Sequence, residues 1–140
     1  MIVVDASALL EVLIRTPAAP MVEARLFSGE TLHAPHLLDL EIAQVLRRYE
    51  RRGELSATRA CEALDDFEAF AIERYPHQLF LPRVWSLRAN ATAYDACYLA
   101  LAEALDAPLL TTDCRLADVP GHGATVEVIG PEPPASSHVR

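Results

Sequence analysis

Lysine is absent from the chain: all twelve basic residues are arginine. Haloacid-dehalogenase-like phosphatases and receiver domains cluster acids at strand ends but depend on a lysine, as does the P-loop, so all three are excluded. No GxGxxG stretch supports a dinucleotide site. Cysteine is scarce. Cys61, Cys97 and Cys114 are odd in number and share no CxxC spacing, so they suggest neither a disulfide framework nor a zinc site. No apolar run reaches the roughly 18 residues of a membrane span, and the amino terminus, acidic by Asp5, lacks a basic signal-peptide region. The cytosol is the expected compartment.

What is present fits one globular domain. The 140 residues, 51% of them hydrophobic, have room for a single core that buries roughly two thirds of the unfolded surface. Residues 1–130 are assigned to it, and the proline-rich polar stretch "GPEPPASSHVR" leads into a tail, 131–140, expected to be disordered. Short aliphatic runs alternate with longer helical patterns, the mark of an α/β fold with a mostly parallel sheet. Strands are predicted at 2–5, 31–34, 108–112 and 125–129. A helix is predicted over 37–52, stopped by Gly53, and Ser56 is placed to cap the next one. That next helix is expected to carry Ala60, Leu64, Phe67, Ala71 and Tyr75 as an apolar stripe. Residues 94–106, apolar on nearly all sides, predict a central buried helix.

The net charge of −8 speaks against a polyanionic partner until its distribution is considered. Four arginines crowd into "RRYERR" at Arg47, Arg48, Arg51 and Arg52. Arginine suits bidentate phosphate contacts, although a solvated helix face accounts for the cluster equally well.

Four acids stand out. Asp5 ends the first strand and Asp113 follows the strand "PLLTT", so both point at the carboxyl rim of a parallel sheet, where such folds bind ligands. Asp95 opens the buried helix leading into that second strand. Glu41 falls between Leu37 and Val45 on a wheel of about 100° per residue, at the edge of an apolar stripe. Singly, each has a simpler reading: Asp5 and Asp113 as helix caps, Asp95 in a capping box with Thr92, Glu41 reaching to water. Jointly, acids converging on one rim repel by about 4 kcal/mol per close pair at an effective dielectric near 20, and a cation resolves this. All-oxygen ligands favour Mg²⁺ or Mn²⁺ over zinc, and Mg²⁺ completes its shell with water and phosphate oxygens. Metal-assisted phosphodiester hydrolysis follows. The same field makes a partner's arginine a natural inhibitor. His33, His36, His77, His122 and His138 show no i,i+4 pair and look incidental.

"MIVVDASALL", "LLDLEIAQVLRR", "NATAYDACYLALAE" and "LLTTDCRLA" stand in the order and approximate spacing of the PIN domain, and the chain most resembles the VapC toxins of prokaryotic toxin-antitoxin pairs. The resemblance covers about residues 1–130. It implies a three-layer α/β/α sandwich and a Mg²⁺-dependent endoribonuclease acting on structured RNA such as transfer RNA. It also implies a homodimer and a cognate VapB antitoxin. Asp5, Glu41, Asp95 and Asp113 match the family's acidic quartet, Thr111 the hydroxyl residue two before the last acid, and Ser7 and Asn90 commonly polar neighbours. Asp118 lies where some relatives carry a further acid. Arg48 and Arg52, within about 20° of Glu41 on the helical wheel, then gain a role in holding RNA phosphates. The rival reading is a PIN-like module that binds protein or RNA without cutting.

Overall fold

The computed structural model describes residues 1–130, so the tail predicted at 131–140 lies outside the described residues. At its centre is β1 (Ile2–Val4), whose three side chains are fully buried. A continuous aliphatic run is what a parallel strand covered on both faces requires. β1 pairs in parallel with β2 (Leu32–Pro35) on one side and β4 (Leu109–Thr111) on the other. β3 (Ile72–Tyr75) and β5 (Val126–Val128) complete an all-parallel sheet of order β3-β2-β1-β4-β5.

From β1 the chain moves outward twice, through α1 (Ala6–Leu13) and α2 (Ala19–Leu26) to β2, then through α3 (Leu37–Arg51) and α4 (Ala57–Glu68) to β3. It then returns across β1 through α5 (Leu81–Ser86) and α6 (Ala93–Leu105) to reach β4. Right-handed crossovers put helices on one face for outward steps and on the other for the return. The contacts agree: α1 packs with α2, α3 and α4, while α6 packs with α5 and lies across β1, β2 and β4. The result is the expected three-layer α/β/α sandwich. The reversal of strand order between β1 and β4 opens a crevice beyond their carboxyl ends, the ligand site of such sheets.

Local signals are realised where predicted. Gly53, at φ +73°, takes the left-handed position after α3, a conformation in which other side chains are strained. The Ser56 hydroxyl accepts from the Arg59 amide at 3.1 Å and starts α4. α6 is buried from Ala96 through Ala102. The expectation for the stripe reaching Tyr75 needs correction. α4 ends at Glu68, Leu64 is exposed, and Ile72–Tyr75 is a strand. Sheet pairing with β2 overrides the helical spacing there, and Arg74 of β3 is tied to Asp39 of α3 by an ion pair of 2.8 Å. No described helix is long and apolar enough to cross a membrane.

Candidate active site

Asp5 sits where β1 becomes α1, only 8% exposed, its amide still donating to the Leu110 carbonyl of β4 at 3.0 Å. Although it occupies the N-cap position, its side chain makes no capping bond. Instead Oδ2 accepts from the Ser7 hydroxyl at 2.9 Å and from the Thr111 hydroxyl at 2.7 Å. Each hydroxyl has a single hydrogen, so with both aimed at Asp5 their own 3.1 Å contact is a close approach rather than a further bond. Their lone pairs accept from the chain beyond β4: Thr112 N–H donates to Ser7 Oγ at 3.1 Å and Asp113 N–H to Thr111 Oγ1 at 3.0 Å. Asp5 is thereby locked to the β4 end by two side chains that fix one oxygen and leave Oδ1 free of both.

Glu41 is half-buried on α3, one residue before the core position Ile42, and its Oε1 accepts from the Tyr98 hydroxyl of α6 at 2.6 Å. Asp95 lies in the first turn of α6, whose cap is Thr92, accepting from the Asp95 amide at 3.1 Å. Asp113 does cap, as its simpler reading proposed: Oδ1 accepts from the Arg115 amide at 3.0 Å. The Arg115 guanidinium also grips it in a fork, Nε to Oδ1 and Nη2 to Oδ2, both 3.0 Å.

The electrostatics divide the four acids. Burial pushes the Asp5 carboxyl above the usual carboxylate range; the Thr111 and Ser7 bonds oppose this and the charge of Asp95 adds to it. Burial likewise raises Glu41, against the Tyr98 bond, with Asp5 and Asp95 raising it further. Asp95 is raised by burial and then by Asp113. Asp113 alone is lowered, because Arg115 neutralises it. Nearby, the Cys97 thiol is pushed up to about 11 by burial and by Glu41. The acids therefore share one repulsive field, yet no group of three or more His, Cys, Asp or Glu among the described residues is gathered tightly enough to hold an ion. Arg115 on Asp113 and Tyr98 on Glu41 are what hold those two carboxylates in their present positions. As donors they are all hard oxygens, which fit Mg²⁺ or Mn²⁺.

A PIN-domain model matches residues 2–122. The chain belongs to the PIN-domain family. Within it, the chain is 48% identical over 118 residues to the VapC ribonuclease Mb0985 of Mycobacterium bovis, covering 84% of this chain and 90% of that protein. Ribonuclease VapC1 of Mycobacterium tuberculosis is 42% identical over 128 residues, covering 91% of this chain and 96% of its own. These similarities place the chain among the VapC ribonucleases. The fold is shared with VapBC2 from Rickettsia felis, solved bound to a DNA fragment from their promoter, at 14% identity and a TM-score of 0.70 over 93% of this chain and all of that one (100%).

Among the other residues expected in a PIN-domain site, Ser7 and Thr111 bond directly to an acid. Asn90 does not; in the turn before α6, it donates to the Pro120 carbonyl at 3.4 Å. Arg48 on α3 and Arg52 just after its end are exposed, together lining a cleft of about 180 Å³ with Val45 and Tyr49. Asp118 is exposed beyond the short 3-10 turn Cys114–Leu116. His33 is held between Thr31 and Tyr75 at 2.7 and 2.8 Å, a buried structural role. Sequence reasoning missed Tyr98 and Arg115. Tyr98 had a signal, standing one helical turn after Asp95 on the same face; Arg115 had only its proximity in sequence to Asp113.

Proposed function

We propose that the chain is a Mg²⁺-dependent endoribonuclease, Mn²⁺ serving as a substitute, and the toxin of a toxin-antitoxin pair. The observation that carries this is the deepest acid, Asp5, held by two hydroxyls and, among the described residues, by no arginine, in a rim where burial first and neighbouring carboxylates second raise the proton affinity of Asp5, Glu41 and Asp95. Perturbed acids in a crevice at a strand switch point are the signature of a working site. Asp5, Asp95, Asp113 and Glu41 are the residues to hold the ion, which when bound lowers the pKa of a water and offsets charge on the phosphate. Ser7 and Thr111 orient Asp5 in the way that outer-shell partners orient ligands. Glu41, its proton affinity raised and its oxygen steadied by Tyr98, is suited to take a proton from the attacking water. Asp113, now held by Arg115, would have to be freed from that fork to hold the ion, and Arg48 and Arg52 hold backbone phosphates leading to the rim.

The substrate is read as structured RNA such as transfer RNA, and the partner as a VapB-type antitoxin, on the strength of the VapC relationship. A cytoplasmic homodimer completes the reading; exposed Leu79, Leu81 and Trp85 along the turn before α5 and α5 itself support a self-association face. The decisive experiment is cleavage of labelled RNA by the purified chain with Mg²⁺, with chelator, and with Asp5→Asn and Asp95→Asn. Cleavage in Mg²⁺ alone, lost in both variants, is expected. RNA bound but never cut under any metal establishes the rival, a non-catalytic binding module.

A further inference from the structure

The outer face of α3 beside the acids carries a cavity that the catalytic reading leaves unused. It measures about 400 Å³, near the lower end of the roughly 300–1,000 Å³ typical of ligand pockets, and Glu41 forms one edge of it. Leu37, Leu40 and Val45 supply apolar walls, Gln44 an amide and Arg48 a guanidinium, and across from α3 stands the ring of Tyr94. Tyr94 occupies the first turn of α6, immediately before Asp95, and is 65% exposed; Leu40 is 76% exposed. Core packing does not account for an open ring set between the two helices that bear Glu41 and Asp95. Val45 and Arg48 also border the smaller cleft with Tyr49 and Arg52, so apolar and basic groups continue along α3 away from the acids.

We propose that this cavity is a nucleobase subsite, which takes one unstacked base from a single-stranded loop of the RNA beside the scissile phosphate. The base stacks on Tyr94, Gln44 meets its edge and Arg48 pairs with the adjoining phosphate. The inference rests on the ribonuclease reading above. Aromatic faces interleaved with arginines are the means by which proteins hold single-stranded RNA. Charge favours this occupant over a protein. A segment drawn to the acids is basic and meets Arg48 as a like charge.

The test begins by mapping where the wild-type chain cuts a fluorescent RNA hairpin with a single-stranded loop, then replaces one nucleotide at a time with an abasic residue. At one position flanking the cut, base removal is expected to lower kcat/KM about tenfold or more for the wild type. Tyr94→Ala is expected to show less than about a twofold response at that position, while Tyr94→Phe, which keeps the ring, responds as the wild type does. A 5-iodouridine at the same position is expected to photocrosslink to the peptide containing Tyr94. Equal responses of the wild type and Tyr94→Ala at every position overturn the subsite alone. So does conversion of a dimer to monomers by Tyr94→Ala, which assigns the face to a protein partner. A chain that cleaves no RNA overturns the ribonuclease reading and the subsite with it.

Discussion

Around the strand starts, carboxylates are paired with cations, whereas at the strand ends Asp5 and Glu41 are paired with hydroxyls and Asp95 feels the charge of Asp113, which alone of the four rim acids is held by an arginine. Arg25 of α2 donates Nε–H to Glu127 of β5 at 2.7 Å and Nη1–H to Glu30 at 3.1 Å, and Glu30 also meets the amino terminus at 3.1 Å. Arg83 holds Glu103 near the end of α6 at 2.9 Å. Those arginines keep Glu127 and Glu103 below their ordinary pKa, and the amino terminus followed by Arg25 does the same for Glu30. At the rim the directions reverse for Asp5, Glu41 and Asp95. The most buried of these acids, Asp5, has no arginine bonded to it among the described residues, although burial is where an unpaired carboxylate is most costly. On the proposed reading, Asp5, Glu41 and Asp95 are left without arginine partners for a ligand that would neutralise them, and such a site trades stability for chemistry.

The largest separation between the two regions is expected in catalysis. Outer-shell partners of metal ligands are typically worth about 10- to 100-fold, so loss of a ligand, Asp5→Asn, is expected to reduce RNA cleavage by more than about a hundredfold. Glu127→Gln is expected to leave cleavage within about twofold. Equal losses in the two variants erase the distinction. Ser7→Ala and Thr111→Val are expected to fall between, at about 10- to 100-fold in Mg²⁺ affinity or rate.

Thermal stability is expected to respond in the opposite sense. Metal-free Asp5→Asn keeps or gains stability, since asparagine still offers one oxygen to both hydroxyls while the buried charge is gone. Arg25→Ala loses stability. Mg²⁺ at a hundred times its dissociation constant stabilises the wild type by about 2.7 kcal/mol and leaves Asp5→Asn nearly unmoved. Calorimetry with and without the ion reads all of these.

The pH profile of the metal-free chain sharpens the same contrast. Carboxyls raised in the folded state bind more protons folded than unfolded, so their contribution declines as pH rises from the ordinary carboxylate range, 3.8 to 4.5, through their higher folded values. The lowered acids contribute stability above that range, and it is lost as pH falls through their depressed folded values. Denaturation followed across pH is expected to show a decline on the alkaline side of this range that Asp5→Asn flattens.

The smallest effect belongs to the exposed arginines. Replacing Arg48 and Arg52 together by alanine is expected to reduce the slope of log affinity against log salt by about one to two units, as each phosphate contact contributes about 0.7 to 0.9. An unchanged slope returns "RRYERR" to a solvated face.

The alternation of aliphatic runs and helices, the caps at Ser56 and Thr92, the stop at Gly53 and the buried α6 were legible because each depends on neighbours a few residues away. Asp5 and Asp113 were legible as rim acids because they follow β1 and β4 directly, and a parallel sheet brings strand ends to one rim; Glu41 and Asp95, on helices, stood out by their places at the edge of an apolar stripe and at the start of a buried helix. What could not be read was β3: its residues continue an apolar spacing that suits a helix, and only the backbone of β2 makes them a strand.

By itself, then, the order of residues determined that this chain is an α/β domain with acids at strand ends, since periodicity and capping act locally. The tertiary structure alone decided which oxygens those acids present. Tyr98 reaches Glu41 across 57 residues and Thr111 reaches Asp5 across 106. Contacts at that separation are set by strand register and by the packing of α6 across the sheet, which no local pattern encodes.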